Sequence, residues 1–208
     1  MAGYSAIVVA GGGGRRMARP GPKPALAVGG VPMVLRVLGA VEAARPRVVV
    51  GPDTLAGLLP PDVIVTMESP PAGGPAAAAA AGLAVRLPDH GPRPDIVVLL
   101  AADLPFLTAD AVDTLVAAAR DGGRPVDGAV AVDGDGREQW LCGAWSVAAL
   151  RARISQVGEL SGTSLRALLG GLTATHVRLA DVAQPTPTFD CDTVDDLNRA
   201  EEMTHGRA

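Results

Sequence analysis

Residues 5–28 read Ser-Ala-Ile-Val-Val-Ala-Gly-Gly-Gly-Gly-Arg-Arg-Met-Ala-Arg-Pro-Gly-Pro-Lys-Pro-Ala-Leu-Ala-Val. The apolar run Ala6 to Ala10 predicts a buried strand, and it breaks into four glycines, Gly11, Gly12, Gly13 and Gly14. Glycine takes backbone conformations that other residues resist and lets main-chain N–H groups approach a ligand closely. Successive N–H groups in such a turn form a concavity that binds anions. Arg15, Arg16, Arg19 and Lys23 add positive charge at its mouth. Strand, glycines and cations together predict a polyphosphate cradle at the carboxyl end of a first strand, in preference to a plain glycine-rich hairpin.

The spacing excludes two common cradles. A P-loop needs G-x-x-x-x-G-K-[ST], whereas here the glycines run into Arg15 and Lys23 is followed by Pro24. The dinucleotide fingerprint G-x-G-x-x-G fails because its last position falls on Arg16 or Met17. Lys23 is the only lysine, beside seventeen arginines. The planar guanidinium fork does not imitate a compact ammonium, so a lysine kept in such a chain points to chemistry. Pro22 and Pro24 stiffen the backbone around it.

Outward from this stretch, strands and helices alternate. Strands are expected at Arg47–Val50, Val63–Thr66, Asp95–Ala101 and Gly128–Val132. Helices are expected from Pro32 to about Ala44, from Thr54 to Leu59, from Pro75 to about Arg86 and, capped by Thr108, to about Arg120. The apolar run ending at Ala101 suits the centre of a sheet. In the second half Gln139–Ser146 pairs back as a hairpin across the Asp133–Gly136 turn. Val147–Val157 and Ser161–Gly170 read as helices, Leu172–Leu179 as a strand, and Thr193 caps a last helix to about Met203. This alternation predicts an α/β fold with three layers, α-β-α, around a mostly parallel, Rossmann-like central sheet carrying one antiparallel hairpin. A single domain over residues 1–208 is expected, with one half at about 4–122 and the other at about 123–203.

Hydrophobic residues make up 48% of the chain and aromatics 2%, so the core must be Val, Leu, Ile and Ala. A net charge of −4 argues against a general nucleic-acid surface. The apolar stretch at 75–87 is too short to cross a membrane. Met1–Ser5 lacks the basic region of a signal peptide. Cys142 and Cys191 stand singly, without zinc spacing. A reduced, cytoplasmic protein is expected. His90, His176 and His205 are scattered, which disfavours a histidine-based mechanism.

Asp103 follows the central strand in Leu100-Ala101-Ala102-Asp103-Leu104-Pro105. A carboxylate at that place suits Mg²⁺, which takes one or two carboxylates plus phosphates and water. Ligands of open α/β sheets sit at the carboxyl ends of strands, so Asp103 is expected on the same edge as the glycine loop. Asp190-Cys191-Asp192 either completes a metal site through Asp192 or serves the next helix, where Asp192 or Thr193 as N-cap favours the dipole. Gly73 and Gly74, between a strand and a helix, let backbone approach a base or ribose.

Ala10 to Met17 has the spacing A-G-G-x-x-x-R-M with a lysine a few residues on, and D-x-P follows the strand at Asp103. Both resemble the MobA-like family, the molybdenum cofactor guanylyltransferases with their cytidylyl and sugar-nucleotide relatives. The likeness runs over about residues 4–203 and implies a nucleotide-binding half at about 4–122 and an acceptor-binding half at about 123–203. It implies the nucleotide-diphospho-sugar transferase type of fold and Mg²⁺-dependent transfer of GMP from GTP to the phosphate of a molybdopterin-type acceptor, with release of pyrophosphate. Apoproteins of molybdoenzymes are then possible partners, and no nucleic acid or membrane is. Arg16, Lys23 and Asp103 take the catalytic positions. Ala10, the four glycines and Arg15 meet the phosphates. Glu68, with Ser69 as a less suited neighbour, stands ahead of a segment like the family's G-P-L-A-G, where it can accept from a guanine edge. Gly51 and Asp53 lie where the family has another base-binding residue. Gln139-Trp140-Leu141-Cys142-Gly143 resembles Q-P-L-x-G and implies acceptor contacts for Trp140 and Gly143; Trp140 and Trp145 stack on a pterin or pack in the core. Ser164-Leu165-Arg166 resembles a family helix in which Arg166 meets an acceptor phosphate. Pro22 replaces the usual Asp, Ala18 the usual Gly, and one extra residue separates Met17 from Lys23. Open alternatives are a cytidylyltransferase of the same pterin, a transferase acting on another small phosphate, a glycosyltransferase, and a non-catalytic nucleotide-binding carrier.

Overall fold

The computed structural model describes residues 3–11, 21–86, 94–121 and 126–205. In chain order its strands are β1 (Tyr4–Val9), β2 (Ala27–Val28), β3 (Val31–Pro32), β4 (Arg47–Val50), β5 (Val63–Thr66), β6 (Ile96–Ala101), β7 (Gly128–Val132), β8 (Glu138–Ser146) and β9 (Ala174–Arg178). Seven of them form one sheet in the order β5-β4-β1-β6-β8-β7-β9, and β2 pairs with β3. β1 runs parallel to β4 and β6, and β4 to β5. β8 is antiparallel to both β6 and β7, and β9 is parallel to β7, so β8 alone runs against the rest of this sheet. The mostly parallel sheet with one reversed strand is the expected architecture.

Alternation along β1 divides the core. Ala6 and Val8 face one side, Ile7 and Val9 the other, as a pleated strand requires. The first side packs on α1 (Met33–Ala40) and α3 (Ala109–Arg120) through Val34, Val37, Leu38, Val112 and Leu115. On the second side lie α2 (Pro75–Ala84), α4 (Val147–Val157) and α5 (Leu165–Leu169). A Cβ on Gly82 of α2 would come 2.6 Å from Ile7 Cγ2, so this alanine-rich helix approaches β1 more closely than larger side chains would allow. The final helix, α6 (Val194–His205), leaves the two layers and builds a third cluster with Val28, Met33, Phe106 and Cys191.

Caps end the helices where the sequence places them. Thr108 Oγ1 accepts from Ala111 N at 3.2 Å. Thr193 Oγ1 accepts from Asp196 N at 3.1 Å while Asp196 Oδ2 accepts from Thr193 N at 2.9 Å, a reciprocal capping box. Two expectations are corrected. Only Leu165–Leu169 of the helix expected at Ser161–Gly170 is helical, because Gly162 turns at φ +75° and its N–H donates to Gly73 O at 2.8 Å. Ser164 is the true N-cap, accepting from Ala167 N at 3.1 Å. Pro32 ends the short strand β3 in extended backbone and precedes α1, which stops at Ala40 rather than near Ala44.

Candidate active site at the carboxyl edge

The connections of β1 and β6 leave in opposite directions across the sheet: the chain goes from β1 to β4 on one side and from β6 through α3 to β7 on the other. A crevice forms at such a switch point, outside the carboxyl ends of the strands. The glycine stretch follows β1 and Asp103 follows β6, and Val9 pairs with Ala101 at the last step of their ladder. Ala10 and Gly11 therefore emerge beside Ala102 and Asp103. Gly12, Gly13, Gly14, Arg15 and Arg16 lie outside the described residues.

Lys23 opens a single 3-10 turn, Lys23–Ala25, held by Pro22 and buried Pro24. Its Nζ donates to Asp103 Oδ2 at 2.5 Å and to Asp192 Oδ1 at 2.6 Å. The Lys23 side chain is 12% exposed, Asp103 19% and Asp192 55%. Burial works to lower the Lys23 pKa, but the two carboxylates overcome it and hold the ammonium above its ordinary range. Asp190, two residues before Asp192, has its carboxyl pushed up by partial desolvation and then by the charges of Asp192 and Asp103.

Three remote segments make this bridge. The strap before α6 docks on the Asp103 loop, where Cys191 N donates to Asp103 O at 3.2 Å. Phe106 and Phe189, the only phenylalanines in the chain, meet edge to face at 5.7 Å between centroids. They share the third cluster with Leu26, three residues after Lys23. Asp192 thus joins Lys23 and Asp103 and leaves the N-cap to Thr193.

Glu68 is buried at 7% exposure, its Oε1 accepting from Ala72 N at 3.2 Å while Oε2 has no partner among the described residues. The bond holds Ala72 at φ +62°, a left-handed conformation costly for a residue with a Cβ. A Cβ on Gly11 would stand 3.7 Å from Glu68 Oε1, and one on Gly73 would meet Ala77 and Pro70 O at 3.0 Å. Gly11, Glu68 and Gly73 are therefore brought together, with Gly74 at φ +93° heading α2. Ser69 is exposed beside them. Gly51 is buried against Ala10, where a Cβ would come 3.1 Å from Ala10 C, and Asp53 is exposed at the start of a 3-10 helix.

In the second half of the chain, Trp140 and Arg166 line one groove together with Glu138 and His176. Gly143 lies inside the sheet, where a Cβ would come 2.9 Å from Trp145 Nε1. Trp145 is fully buried, the packing role. Glu138 and the Phe106–Phe189 pair carry no motif that reveals them. His176 looks idle in the sequence because its partner is 38 residues away on another strand.

Residues 6–179 match the MobA-like NTP transferase domain. No curated protein matches the chain. Among solved structures it is similar to molybdopterin-guanine dinucleotide biosynthesis protein A from Archaeoglobus fulgidus, at 20% identity and a TM-score of 0.70, covering 97% of this chain and 99% of that one. A nucleotidyl transferase from Methanothermobacter thermautotrophicus aligns over 99% of both chains at 18% identity and a TM-score of 0.68. The 2-C-methyl-D-erythritol 4-phosphate cytidylyltransferase from Thermus thermophilus aligns over 98% of this chain and 99% of its own at 21% identity and a TM-score of 0.64. The fold is that of the nucleotide-diphospho-sugar transferases, and no described helix is long and apolar enough to cross a membrane. With its first strand, its Asp103 loop and both halves of its sheet inside the matched region, the chain belongs to the MobA-like NTP transferase family and is a nucleotidyltransferase.

Proposed function

We propose that this protein transfers GMP from GTP to the terminal phosphate of a molybdopterin-type acceptor and releases pyrophosphate. The observation that carries the reading is the bridge from the only lysine to Asp103 and Asp192 at the switch point. A buried ammonium and two carboxylates beside a glycine turn suit phosphoryl chemistry, in which positioning and charge neutralisation do most of the work.

Mg²⁺ fits these residues as a cofactor. The converging donors are carboxylate oxygens, the preference of a hard cation. Among the described residues no group of three or more His, Cys, Asp and Glu side chains could hold a metal. Mg²⁺ takes one or two carboxylates and completes its shell with phosphates and water. Asp103 would hold it, with Asp192 as second ligand, and it would supply charge neutralisation on the triphosphate.

Lys23, released from the carboxylates, turns to the phosphates and stabilises charge developing on the α-phosphate and on the leaving pyrophosphate, with Arg16 alongside. The glycine loop offers main-chain N–H groups to the phosphates. Glu68, held under Gly11 with one oxygen unpaired among the described residues, accepts from the donor edge of the base; Gly73 and Gly74 let backbone approach it. A guanine presents such an edge, and this favours GTP. The molybdopterin-guanine dinucleotide protein among the similar structures supports the acceptor.

Pyrophosphate release is the test, measured from GTP, CTP, ATP and UTP with Mg²⁺ and molybdopterin or its molybdate-loaded form. Release with GTP alone, and only with the pterin, is expected. Release with CTP would overturn the base assignment and favour the cytidylyl reading that the likeness to the Thermus enzyme supports. GTP binding without release from any acceptor would overturn catalysis in favour of a carrier.

A further inference from the structure

The loop after β5 is held from outside its own half of the chain. Residues 68–74 fold back on themselves: Ala72 N donates to Glu68 Oε1 at 3.2 Å and Gly73 N to Pro70 O at 3.1 Å. The carbonyl of buried Gly73 accepts from Gly162 N at 2.8 Å. Gly162 lies in residues 158–163, the connection from α4 to α5. Beside this bond a Cβ on Gly74 would stand 3.9 Å from Thr163 O, so two consecutive residues of one loop face two of the other. Behind them Leu165 and Leu168 of α5 share an apolar cluster with Ala76 and Ala79 of α2.

The connection is braced to hold this position. Gly158 N donates to Ile154 O at 3.1 Å and ends α4. Glu159 Oε1 accepts from Ser161 N at 3.0 Å, and Thr163 Oγ1 donates to Glu159 O at 3.1 Å. Thr163 N donates to Leu160 O at 3.0 Å, and Ser164 then caps α5. These bonds close within the loop and its helices, whereas the Gly162 N–H crosses to Gly73. A residue with a Cβ in the left-handed region persists where its surroundings over-determine it. Ala72 at φ +62° has such restraints on both sides, its own N–H on Glu68 and the next carbonyl on Gly162.

We propose that residues 158–163 form a latch that sets base specificity. By fixing Gly73 and Ala72 it holds the Glu68 carboxylate in the orientation that accepts from the 2-amino group of a purine. That carboxylate is 7% exposed, and its Oε2 has no partner among the described residues. The proposal rests on the base contact given to Glu68 and is independent of the transfer step. The 2-amino group is the donor that guanine carries and other purines lack. A hydrogen bond weakens steeply with misalignment, so a reader that can tilt loses its preference. A buried polar group left unpaired is what lets a site reject a ligand that lacks the matching donor. Gly162 is a positioning residue, acting through Gly73 and Ala72 on Glu68.

Equilibrium binding of GTP and of inosine triphosphate, which lacks the 2-amino donor, tests this in the presence of Mg²⁺. The parent protein should bind GTP about tenfold more tightly, the scale of one hydrogen bond to a charged group. Gly162→Pro deletes the N–H and cannot take φ +75°, so the ratio should fall to about two or below while inosine triphosphate binds nearly as before. Gly162→Asn keeps the N–H and tolerates the left-handed region. Among the described residues no heavy atom beyond its chain neighbours lies within 4 Å of a Cβ at 162, so the side chain fits and the parent ratio should be retained. Thr163→Val removes the brace to Glu159 and should lower the ratio about threefold. Thermal melts establish which variants fold. Glu68→Gln should abolish the preference, and Gly162→Pro added to it should change the ratio no further. A GTP preference that survives Gly162→Pro, or that survives Thr163→Val should Gly162→Pro not fold, overturns the proposal. So does a preference lost equally in Gly162→Asn or absent from the parent. Failure to release pyrophosphate beside the expected binding sinks the transfer reading alone, whereas a parent preference that survives the latch variants sinks this one alone.

Discussion

Replacing Lys23 by Met keeps the side chain's length and removes its charge. In the parent its ammonium lies 2.5 Å from one carboxylate oxygen and 2.6 Å from another. Those oxygens are therefore within about 5 Å of each other, where two negative charges at an effective dielectric of 20 repel by about 3 kcal/mol. The Asp192 side chain is 55% exposed, and solvent screening cuts the penalty to about 1 kcal/mol. The variant should thus fold, melting about 2–4 °C lower. Turnover should suffer far more, by about 10²–10³, the value of one preorganised electrostatic stabiliser in a largely buried site. The two effects also separate under cation. With the ammonium gone, Mg²⁺ alone should raise the melting temperature of Lys23→Met more than that of the parent. Pyrophosphate release at saturating GTP, Mg²⁺ and molybdopterin, with melts run with and without MgCl₂, reads both. Turnover at the parent rate would refute the role given to Lys23, and equal stabilisation of both proteins by Mg²⁺ would refute the shared site.

Away from the reaction, the Arg47 guanidinium donates to Asp62 Oδ2 at 2.6 Å and holds that carboxyl below its ordinary range, the side-chain hydrogen bond being the leading cause. A depressed carboxylate contributes stability that is fully present above the usual value of 3.8 and is lost as pH falls through its lowered folded value. Asp62→Asn should therefore flatten the acid limb of the stability curve below about pH 4 in denaturant titrations, and an unchanged acid limb would contradict the pairing. Gly82→Ala forces a methyl group 2.6 Å from Ile7 Cγ2, inside the core. Overpacking of about 1–3 kcal/mol outweighs the roughly 1 kcal/mol gained in helix propensity, so the urea midpoint should fall with an unchanged slope. Phe189→Leu removes the edge-to-face contact with Phe106, worth about 0.5–1.5 kcal/mol beyond its area. Because Asp192 follows three residues on, kcat should fall several-fold with the KM for GTP nearly constant; a change in KM alone would contradict positioning through the strap.

Local patterns carried the fold a long way. Arg47–Val50, Val63–Thr66, Gly128–Val132 and Val147–Val157 form where apolar runs and turn residues predict them. Helix ends follow their caps at Thr108 and Thr193. The failures have physical causes at longer range. Gly162 is drawn out of a helix by a hydrogen bond to Gly73, almost ninety residues earlier. A three-residue register jump puts Trp140 at a bulge, which the alternation of β8 does not announce. Asp103 and Lys23 could each be picked out as chemical, one by its place after the central strand and the other by its scarcity. That they meet, and that Asp192 joins them in place of capping α6, depends on a strap docked over the Asp103 loop.

The distribution of aromatic side chains ties these observations together. With 2% aromatics the chain builds its layers from aliphatic residues, and the only large ring wholly inside them among the described residues is Trp145. Four of the five aromatic residues occur as two pairs. One pair stands between the segments that bring Asp103 and Asp192 to Lys23; the other underlies the groove beside Glu138. Aromatic pairs prefer defined offsets and angles that interchangeable aliphatic contacts do not impose. A core of Val, Leu, Ile and Ala tolerates repacking while its volume is kept, whereas a catalytic constellation must be held to about 0.5 Å. Rings placed where orientation matters, in a protein whose only other aromatic residue is Tyr4, are what a site assembled from three distant segments requires.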